Sequence, residues 1–134
     1  MTSSLPKCVL IVEDNDLNTK LFRDLLVANG YRTLHTSNGL EVMDLARANK
    51  PDLILMDIRL PDESGLELTK KIKITSPHVK ILILTGHHYP EYKEAAARYG
   101  ADGFLVKGGS SKEILAMVES FFPKAEASTI AEQK

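Results

Sequence analysis

The sequence predicts an α/β protein in which five parallel strands form one sheet with helices on both faces. Short continuous apolar runs are separated by stretches with helical periodicity, and the two kinds of segment alternate five times along the chain. A continuous apolar run of four to eight residues is typical of a strand buried on both faces of a parallel sheet. Strict alternation of strands and helices predicts right-handed crossovers between the strands.

The predicted elements follow directly from these patterns. The five strands are predicted at residues 7–12, 31–36, 52–57, 79–84 and 103–107. The five helices are predicted at about residues 16–29, 38–50, 64–76, 90–99 and 110–122. We expect residues 1–6 to be an N-terminal extension, residues 7–122 to be one folded domain and residues 123–134 to be a polar, disordered tail.

Helical spacing and capping residues predict how the first two helices begin and pack. Leu17, Leu21 and Leu25 recur every four residues, and we interpret them as the buried face of the first helix. Asn38 and Glu41 are spaced as a capping box, which predicts that the second helix begins there.

The composition of the chain restricts the classes of function. Its 134 residues are 43% hydrophobic and 26% charged, as in a single globular domain. A net charge of -1 without a basic run argues against direct nucleic-acid binding. No apolar run has the length of a membrane span or a signal peptide, so we expect a cytoplasmic protein with no membrane partner. Cys8 is the only cysteine, which excludes an internal disulfide and predicts a packed, inert thiol.

Side chains suited to a functional site stand at the ends of four of the five predicted strands. These side chains are Glu13 and Asp14 at the end of the first strand, Asp57 at the end of the third, Thr85 at the end of the fourth and Lys107 at the end of the fifth. The second strand ends in the uncharged residues 37–39, which suits an edge strand. This pattern supports the flavodoxin-like (βα)5 strand order 2-1-3-4-5, in which the other four strand ends meet in one pocket.

The chemistry of these side chains points to phosphoryl transfer. Three crowded carboxylates repel one another, and Mg2+ suits a site that offers carboxylates, retained waters and a backbone carbonyl, here that of Arg59. Thr85 and Lys107 provide the hydroxyl and ammonium expected around phosphoryl oxygens, and Gly86 allows a close backbone approach. Together they indicate Mg2+-dependent formation of an aspartyl phosphate on Asp57.

Four sequence motifs in this order carry a resemblance to a known family. They are Val9-Leu-Ile-Val-Glu-Asp-Asn15, Pro51-Asp-Leu-Ile-Leu-Met-Asp-Ile-Arg-Leu-Pro61 with Gly65, Leu84-Thr-Gly86, and Gly100-Ala-Asp-Gly-Phe-Leu-Val-Lys107. With them the chain resembles the receiver (CheY-like) domain of two-component response regulators over roughly residues 7–122. Its first half, with Asn15-Asp-Leu-Asn18 leading the first helix, is similar to single-domain response regulators of the cell-cycle type and to hybrid-kinase receivers.

The resemblance implies roles for individual residues and a set of partners. It implies that Asp57 is the phosphoacceptor, that Glu13 and Asp14 bind Mg2+, and that Thr85 and Phe104 form a switch. The phosphodonor would be a sensor histidine kinase or a histidine phosphotransfer protein. An output protein would bind the face made by the fourth helix, the fifth strand and the fifth helix, and the resemblance allows a homodimer through that face. Such a protein is not an enzyme, because it catalyses only its own phosphorylation and dephosphorylation.

The chain departs from this family at one position. Gly108 follows Lys107, where the family usually has a proline at a cis peptide. A cis bond without proline costs about 3 kcal/mol, so we expect a trans peptide here. The change brings into question how firmly Lys107 is positioned.

Alternative functions and one further hypothesis remain. Gly108 leaves open a phosphorylation-independent interaction module. An aspartate-nucleophile phosphatase is disfavoured because Arg59 stands where a second acid is expected. A flavin-binding protein is disfavoured because Glu13 and Asp14 would repel the phosphate of the flavin.

Arg59 and His87 each lie two residues past a strand-end group, Asp57 and Thr85. We hypothesise that their side chains tune the rate of dephosphorylation.

Overall fold

The computed structural model describes residues 6–86 and 90–123, and all elements below lie within these ranges. The strands are β1 (Cys8–Val12), β2 (Arg32–Thr36), β3 (Leu53–Asp57), β4 (Lys80–Thr85) and β5 (Gly103–Val106). The α-helices are α1 (Asp16–Ala28), α2 (Val42–Asn49), α3 (Gly65–Thr75), α4 (Pro90–Arg98) and α5 (Ser111–Ser120). A short 3-10 helix (Gly39–Glu41) precedes α2. His87 and most of the predicted terminal extensions lie outside the described residues.

The strands form one parallel sheet in the order β2-β1-β3-β4-β5, which confirms the predicted fold class. Every residue of β1 and β3 is buried, as the continuous apolar runs predict. β2 is the more exposed edge strand. This order places the carboxyl ends of β1, β3, β4 and β5 side by side at one edge of the sheet.

Two hydrophobic clusters cover the two faces of the sheet. On one face Leu10 and Ile54 pack with residues of α2, α3 and α4. On the other face Val9 and Leu55 pack with residues of α1 and α5. Adjacent residues of a strand point to opposite faces, so each central strand contributes to both clusters. The strand ends that carry the candidate site are thus anchored from both sides.

Helix α1 buries a different face from the one predicted. Leu17 and Leu21 are 66% and 57% exposed, whereas Phe22 and Leu26 are buried. The first helix carries two overlapping apolar stripes about 100° apart, and spacing alone does not distinguish them. The stripe with the large aromatic ring of Phe22 packs against the sheet, and Leu25 is partly buried at its border. The prediction that Leu17 and Leu21 are core residues was therefore wrong.

The predicted capping box at Asn38 is also wrong. The Asn38 side chain accepts a hydrogen bond from the Leu40 N–H at 2.8 Å and begins the 3-10 helix. The Glu41 carboxylate does not accept a hydrogen bond from the Asn38 N–H, as a capping box requires. It instead accepts a hydrogen bond from the Thr36 hydroxyl at 2.6 Å. That partner lies on the preceding strand and takes the Glu41 side chain away from the cap, so α2 begins only at Val42.

Candidate functional site

Three carboxylates meet at the edge of the sheet where β1 and β3 end. One carboxylate oxygen from each of Glu13, Asp14 and Asp57 lies within 4.8 Å of the other two. The parallel pairing of Val12 with Met56 produces this arrangement, since it brings the residues that follow these two to the same edge. Glu13 and Asp57 are only 1% and 5% exposed, whereas Asp14 is exposed. The sequence prediction of an acidic pocket is confirmed by this geometry.

The Glu13 carboxylate is buried and incompletely satisfied. Its Oε2 accepts hydrogen bonds from the Lys107 ammonium at 3.2 Å, the Asn15 N–H at 3.3 Å and the Asn18 side-chain amide at 3.4 Å. Its Oε1 lies 3.0 Å from the Lys107 ammonium but receives no well-oriented hydrogen bond from the described residues. A buried carboxylate oxygen in this state is unfavourable and suits an additional cation.

Lys107 bridges the two buried carboxylates. Its Nζ lies 3.0 Å from Glu13 Oε1 and 3.3 Å from Asp57 Oδ2. Its backbone N–H donates to the Thr85 carbonyl at 2.6 Å, which extends the pairing of β4 and β5 by one residue. The peptide to Gly108 is trans, as are all others in the described ranges, and Gly108 makes the turn with a φ of 95°. The trans prediction is confirmed, and Lys107 reaches both acids without a following proline.

Asp57 is an unusually basic carboxylate. Burial raises its pKa to about 6; the Lys107 ammonium opposes this shift, and the neighbouring Glu13 carboxylate reinforces it. The Arg59 N–H, which donates to Asp57 Oδ1 at 3.2 Å, also lowers the pKa. At neutral pH Asp57 is mostly ionised, which is the form that attacks an electrophile.

The loop between β3 and α3 folds tightly behind Asp57. The Gly65 N–H donates to the Ile58 carbonyl at 2.9 Å, and Arg59 and Ser64 form an isolated antiparallel bridge. A Cβ atom at Gly65 would overlap the carbonyl oxygen of Asp57, so only glycine fits there. The turn thus holds exposed Arg59 directly beyond the acidic edge.

A second anchor of this loop was missed by sequence reasoning. Both carboxylate oxygens of Asp62 accept backbone hydrogen bonds at 2.9 Å, one from Gly39 and one from Leu40. These bonds lower the pKa of Asp62, with the Gly39 N–H as the main cause. Asp62 therefore caps the 3-10 helix from 22 or 23 residues away. No local pattern in the sequence indicates such a pairing.

The remaining predicted site residues lie around this edge. Thr85 is buried as the last residue of β4, whose Leu84 pairs with Asp57. Gly86 is exposed, and a Cβ atom there would meet no described atom within 4 Å, so the fold itself does not require glycine. Phe104 is half-buried in β5 and borders a cleft of about 900 Å³ that is also lined by Met117 of α5.

The donor set fits Mg2+. Glu13, Asp14 and Asp57 provide hard oxygen ligands, and the exposed side of Asp14 leaves room for the waters that Mg2+ retains. These three residues could hold the ion, with the Arg59 carbonyl as the predicted fourth protein ligand.

The site combines an acidic pocket with a bridging lysine at the strand ends of a doubly wound sheet. This combination is typical of one class of signalling domain. The sequence profile of the response regulator receiver domain matches residues 9–119. The chain therefore belongs to the response regulator receiver family, and it is a receiver domain of a two-component response regulator.

Similar proteins agree with this assignment. The polar-differentiation response regulator DivK of Brucella anthropi is 44% identical over 123 residues, which are 90% of this chain and 100% of that protein. DivK of Brucella ovis is 42% identical over the same coverage. A CheY-like receiver from Methanospirillum hungatei superposes with a TM-score of 0.84 at 25% identity, covering 92% of this chain and 98% of that one. The Vibrio cholerae chemotaxis protein CheY4 has a TM-score of 0.81 at 27% identity, covering 87% and 98%.

These similarities place the chain among signalling proteins rather than metabolic enzymes. Receiver domains interact with kinases or phosphotransfer proteins, and this holds for the family to which the chain belongs. Of the helices in the described part of the chain, none is both long and apolar enough to cross a bilayer.

Proposed function

We propose that the protein accepts a phosphoryl group on Asp57 in a Mg2+-dependent reaction and signals through the resulting change of shape. The folded unit responsible comprises residues 7–122. The observation that carries the proposal is the geometry of Lys107, whose ammonium contacts a buried Glu13 and a buried Asp57 beside exposed Asp14. A buried ion network at the carboxyl ends of parallel strands is typical of a reaction site rather than of a structural salt bridge.

In the proposed reaction the Asp57 carboxylate attacks the phosphorus of a phosphohistidine donor. The new O–P bond forms as the N–P bond breaks, and the electron pair of the broken bond stays on the imidazole nitrogen. Mg2+ held by Glu13, Asp14, Asp57 and the Arg59 carbonyl would neutralise charge on the transferred group. Lys107 is already 3.3 Å from Asp57 and would follow the new phosphoryl oxygens. An ionised carboxylate needs no general base.

The other predicted site residues take part after transfer. Thr85 would bind a phosphoryl oxygen through its hydroxyl, with Gly86 leaving open space for the group. The inward movement of Thr85 would let Phe104 occupy the vacated volume and reshape the face of α4, β5 and α5. The cleft lined by Phe104, by Lys93 of α4 and by Met117 of α5 supports this proposal, because a movement of the Phe104 ring would change the shape of this cleft. Arg59 and His87 are proposed to influence water attack on the phosphoryl group.

The partners follow from the class of protein. A sensor histidine kinase or a histidine phosphotransfer protein in the cytoplasm would supply the phosphoryl group. An output protein would bind the face of α4, β5 and α5, and a homodimer through that face is the alternative occupant. By similarity to the polar-differentiation regulators of Brucella, we place the chain in a signalling pathway of that kind.

Intact-mass measurement tests the proposed reaction. The protein is incubated with Mg2+ and a small acyl-phosphate donor, beside Asp57→Asn and a chelator-treated sample. We expect one added phosphoryl group in the wild type only. An unmodified wild type at short times would instead favour a phosphorylation-independent interaction module. Equal labelling of Asp57→Asn would show that another residue accepts phosphate.

A further inference from the structure

His35 of the edge strand β2 contacts two segments that lead to the acidic pocket. Its Nε2 lies 3.1 Å from the backbone carbonyl oxygen of Glu13 and 3.2 Å from the Thr19 hydroxyl on α1. Glu13 also donates its backbone N–H to the Thr36 carbonyl, next to His35, at 3.1 Å. The segment that carries the first two acids is thus held against β2 at two consecutive points.

The chemistry of the partners fixes the direction of these hydrogen bonds. A carbonyl oxygen only accepts, so Nε2 of His35 carries the hydrogen that faces Glu13. The Thr19 hydroxyl donates its own hydrogen to the Asn15 carbonyl at 3.0 Å, which leaves its oxygen free to accept from the same ring N–H. The imidazole therefore joins β2, the acidic segment and the first turn of α1.

That first turn also holds the Glu13 side chain. The Asn15 N–H and the Asn18 amide both donate to Glu13 Oε2, at 3.3 and 3.4 Å. The Asn18 N–H in turn donates to the Asn15 side chain at 2.8 Å, which caps α1. His35 thus fixes the Glu13 backbone directly, and through Thr19 it fixes the turn that orients the Glu13 carboxylate.

We propose that His35 is a positioning residue that pre-organises Glu13 and Asp14 for Mg2+. The inference rests on the proposed function, because it assigns a role toward the metal of that same site. Residues that orient metal ligands typically change metal affinity when they are replaced. The His35 side chain is exposed, so its removal leaves no cavity in the core.

The decisive experiment compares Mg2+ affinity, measured by calorimetry, in His35→Ala, His35→Gln and the wild type. We expect the Mg2+ dissociation constant of His35→Ala to rise roughly 3- to 10-fold. We expect phosphorylation at saturating Mg2+ to stay within about twofold, since His35 does not contact the reacting atoms. His35→Gln should restore much of the affinity, because its amide can donate to the Glu13 carbonyl. His78→Ala is the matched control. His78 is an exposed histidine in the α3–β4 connection, at the end of the sheet opposite the carboxyl ends of the strands.

A metal-free readout separates positioning from an effect on catalysis. Amide hydrogen exchange in the absence of Mg2+ should be faster at Asn15 and Thr19 in His35→Ala than in the wild type. An unchanged dissociation constant in His35→Ala would overturn the assignment. The assignment would also be overturned if His35→Ala and His35→Gln lost Mg2+ affinity to the same extent and thermal stability to the same extent. That result would show a merely structural role for His35. A wild type that binds no Mg2+ would refute the proposed function itself, and the His35 assignment with it.

Discussion

Replacement of Asp57 by asparagine is expected to stabilise the metal-free protein at neutral pH. An aspartate in the unfolded chain has a pKa near 3.9, whereas burial raises the pKa of folded Asp57 to about 6. Because the folded pKa is the higher one, protonated Asp57 favours the folded state fully below about pH 4. This stabilisation is lost as the pH rises through about 6.

The size of the effect follows from the difference in pKa. A shift of roughly two units corresponds to about 3 kcal/mol at 1.36 kcal/mol per unit, which is the upper bound at neutral pH. The asparagine side chain in Asp57→Asn carries no charge at any pH, so the variant avoids the cost of burying a charge at position 57. It loses the ion pair between Asp57 and Lys107, but Lys107 keeps its ion pair with Glu13. We therefore expect a net gain of about 1–2 kcal/mol in the free energy of unfolding.

Urea unfolding followed by circular dichroism, in the presence of a chelator, measures this gain. The advantage of Asp57→Asn should be largest near pH 7.5 and should shrink toward zero near pH 4. Asp44→Asn is the control, because this exposed α2 carboxylate pairs only with Arg47 among the described residues and should change stability by less than about 0.5 kcal/mol. A variant that is less stable than the wild type at pH 7.5, or a difference that does not vary with pH, would show that burial does not raise the pKa of Asp57 in this way.

Three further predictions concern the loop after Asp57 and the packing of α1. Gly65→Ala should lower the free energy of unfolding by about 2–4 kcal/mol, since its Cβ overlaps the Asp57 carbonyl oxygen; a neutral result in urea unfolding would mean that the loop can shift. Asp62→Ala should lower the thermal midpoint by a few degrees at pH 7. Because the pKa of Asp62 is lowered in the folded state, its ionised carboxylate stabilises the fold, and this stabilisation is lost as Asp62 is protonated. The difference in thermal midpoint between wild type and variant should therefore narrow below about pH 4, and a difference that is constant with pH would argue against the carboxylate cap. Leu21→Ser should change stability by less than about 0.5 kcal/mol whereas Leu26→Ala should cost about 2–5 kcal/mol, and the reverse order would restore the predicted helix face.

The sheet and most of the strand boundaries could be predicted from the sequence, because a strand that is buried on both faces is a continuous apolar run. The strand Arg32–Thr36 is more polar, which indicated that it lies at the edge of the sheet. The buried face of α1 could not be predicted from spacing, because the stripe that contains Leu21 and the stripe that contains Phe22 are both apolar. Only the shape of the sheet surface decides which of them is buried.

The acidic pocket could be predicted because parallel strands bring their carboxyl ends to one edge, whatever the loops do. His35 and Asp62 could not be predicted, since they bond to backbone groups 22 and 22 to 23 residues away. Backbone N–H and carbonyl groups recur all along the chain, so such partners leave no signal in the sequence. Sequence reasoning therefore finds the reacting groups and misses the residues that hold them in place.

The proposed acceptor of the phosphoryl group is Asp57. Borohydride reduction of the phosphorylated protein converts an aspartyl phosphate into homoserine, and peptide mass mapping then locates the converted residue. We expect homoserine at position 57 alone, formed only when Mg2+ and a phosphodonor are both present. Homoserine at position 14, or no homoserine in a sample whose intact mass shows phosphorylation, would show that the phosphoryl group is not carried by Asp57.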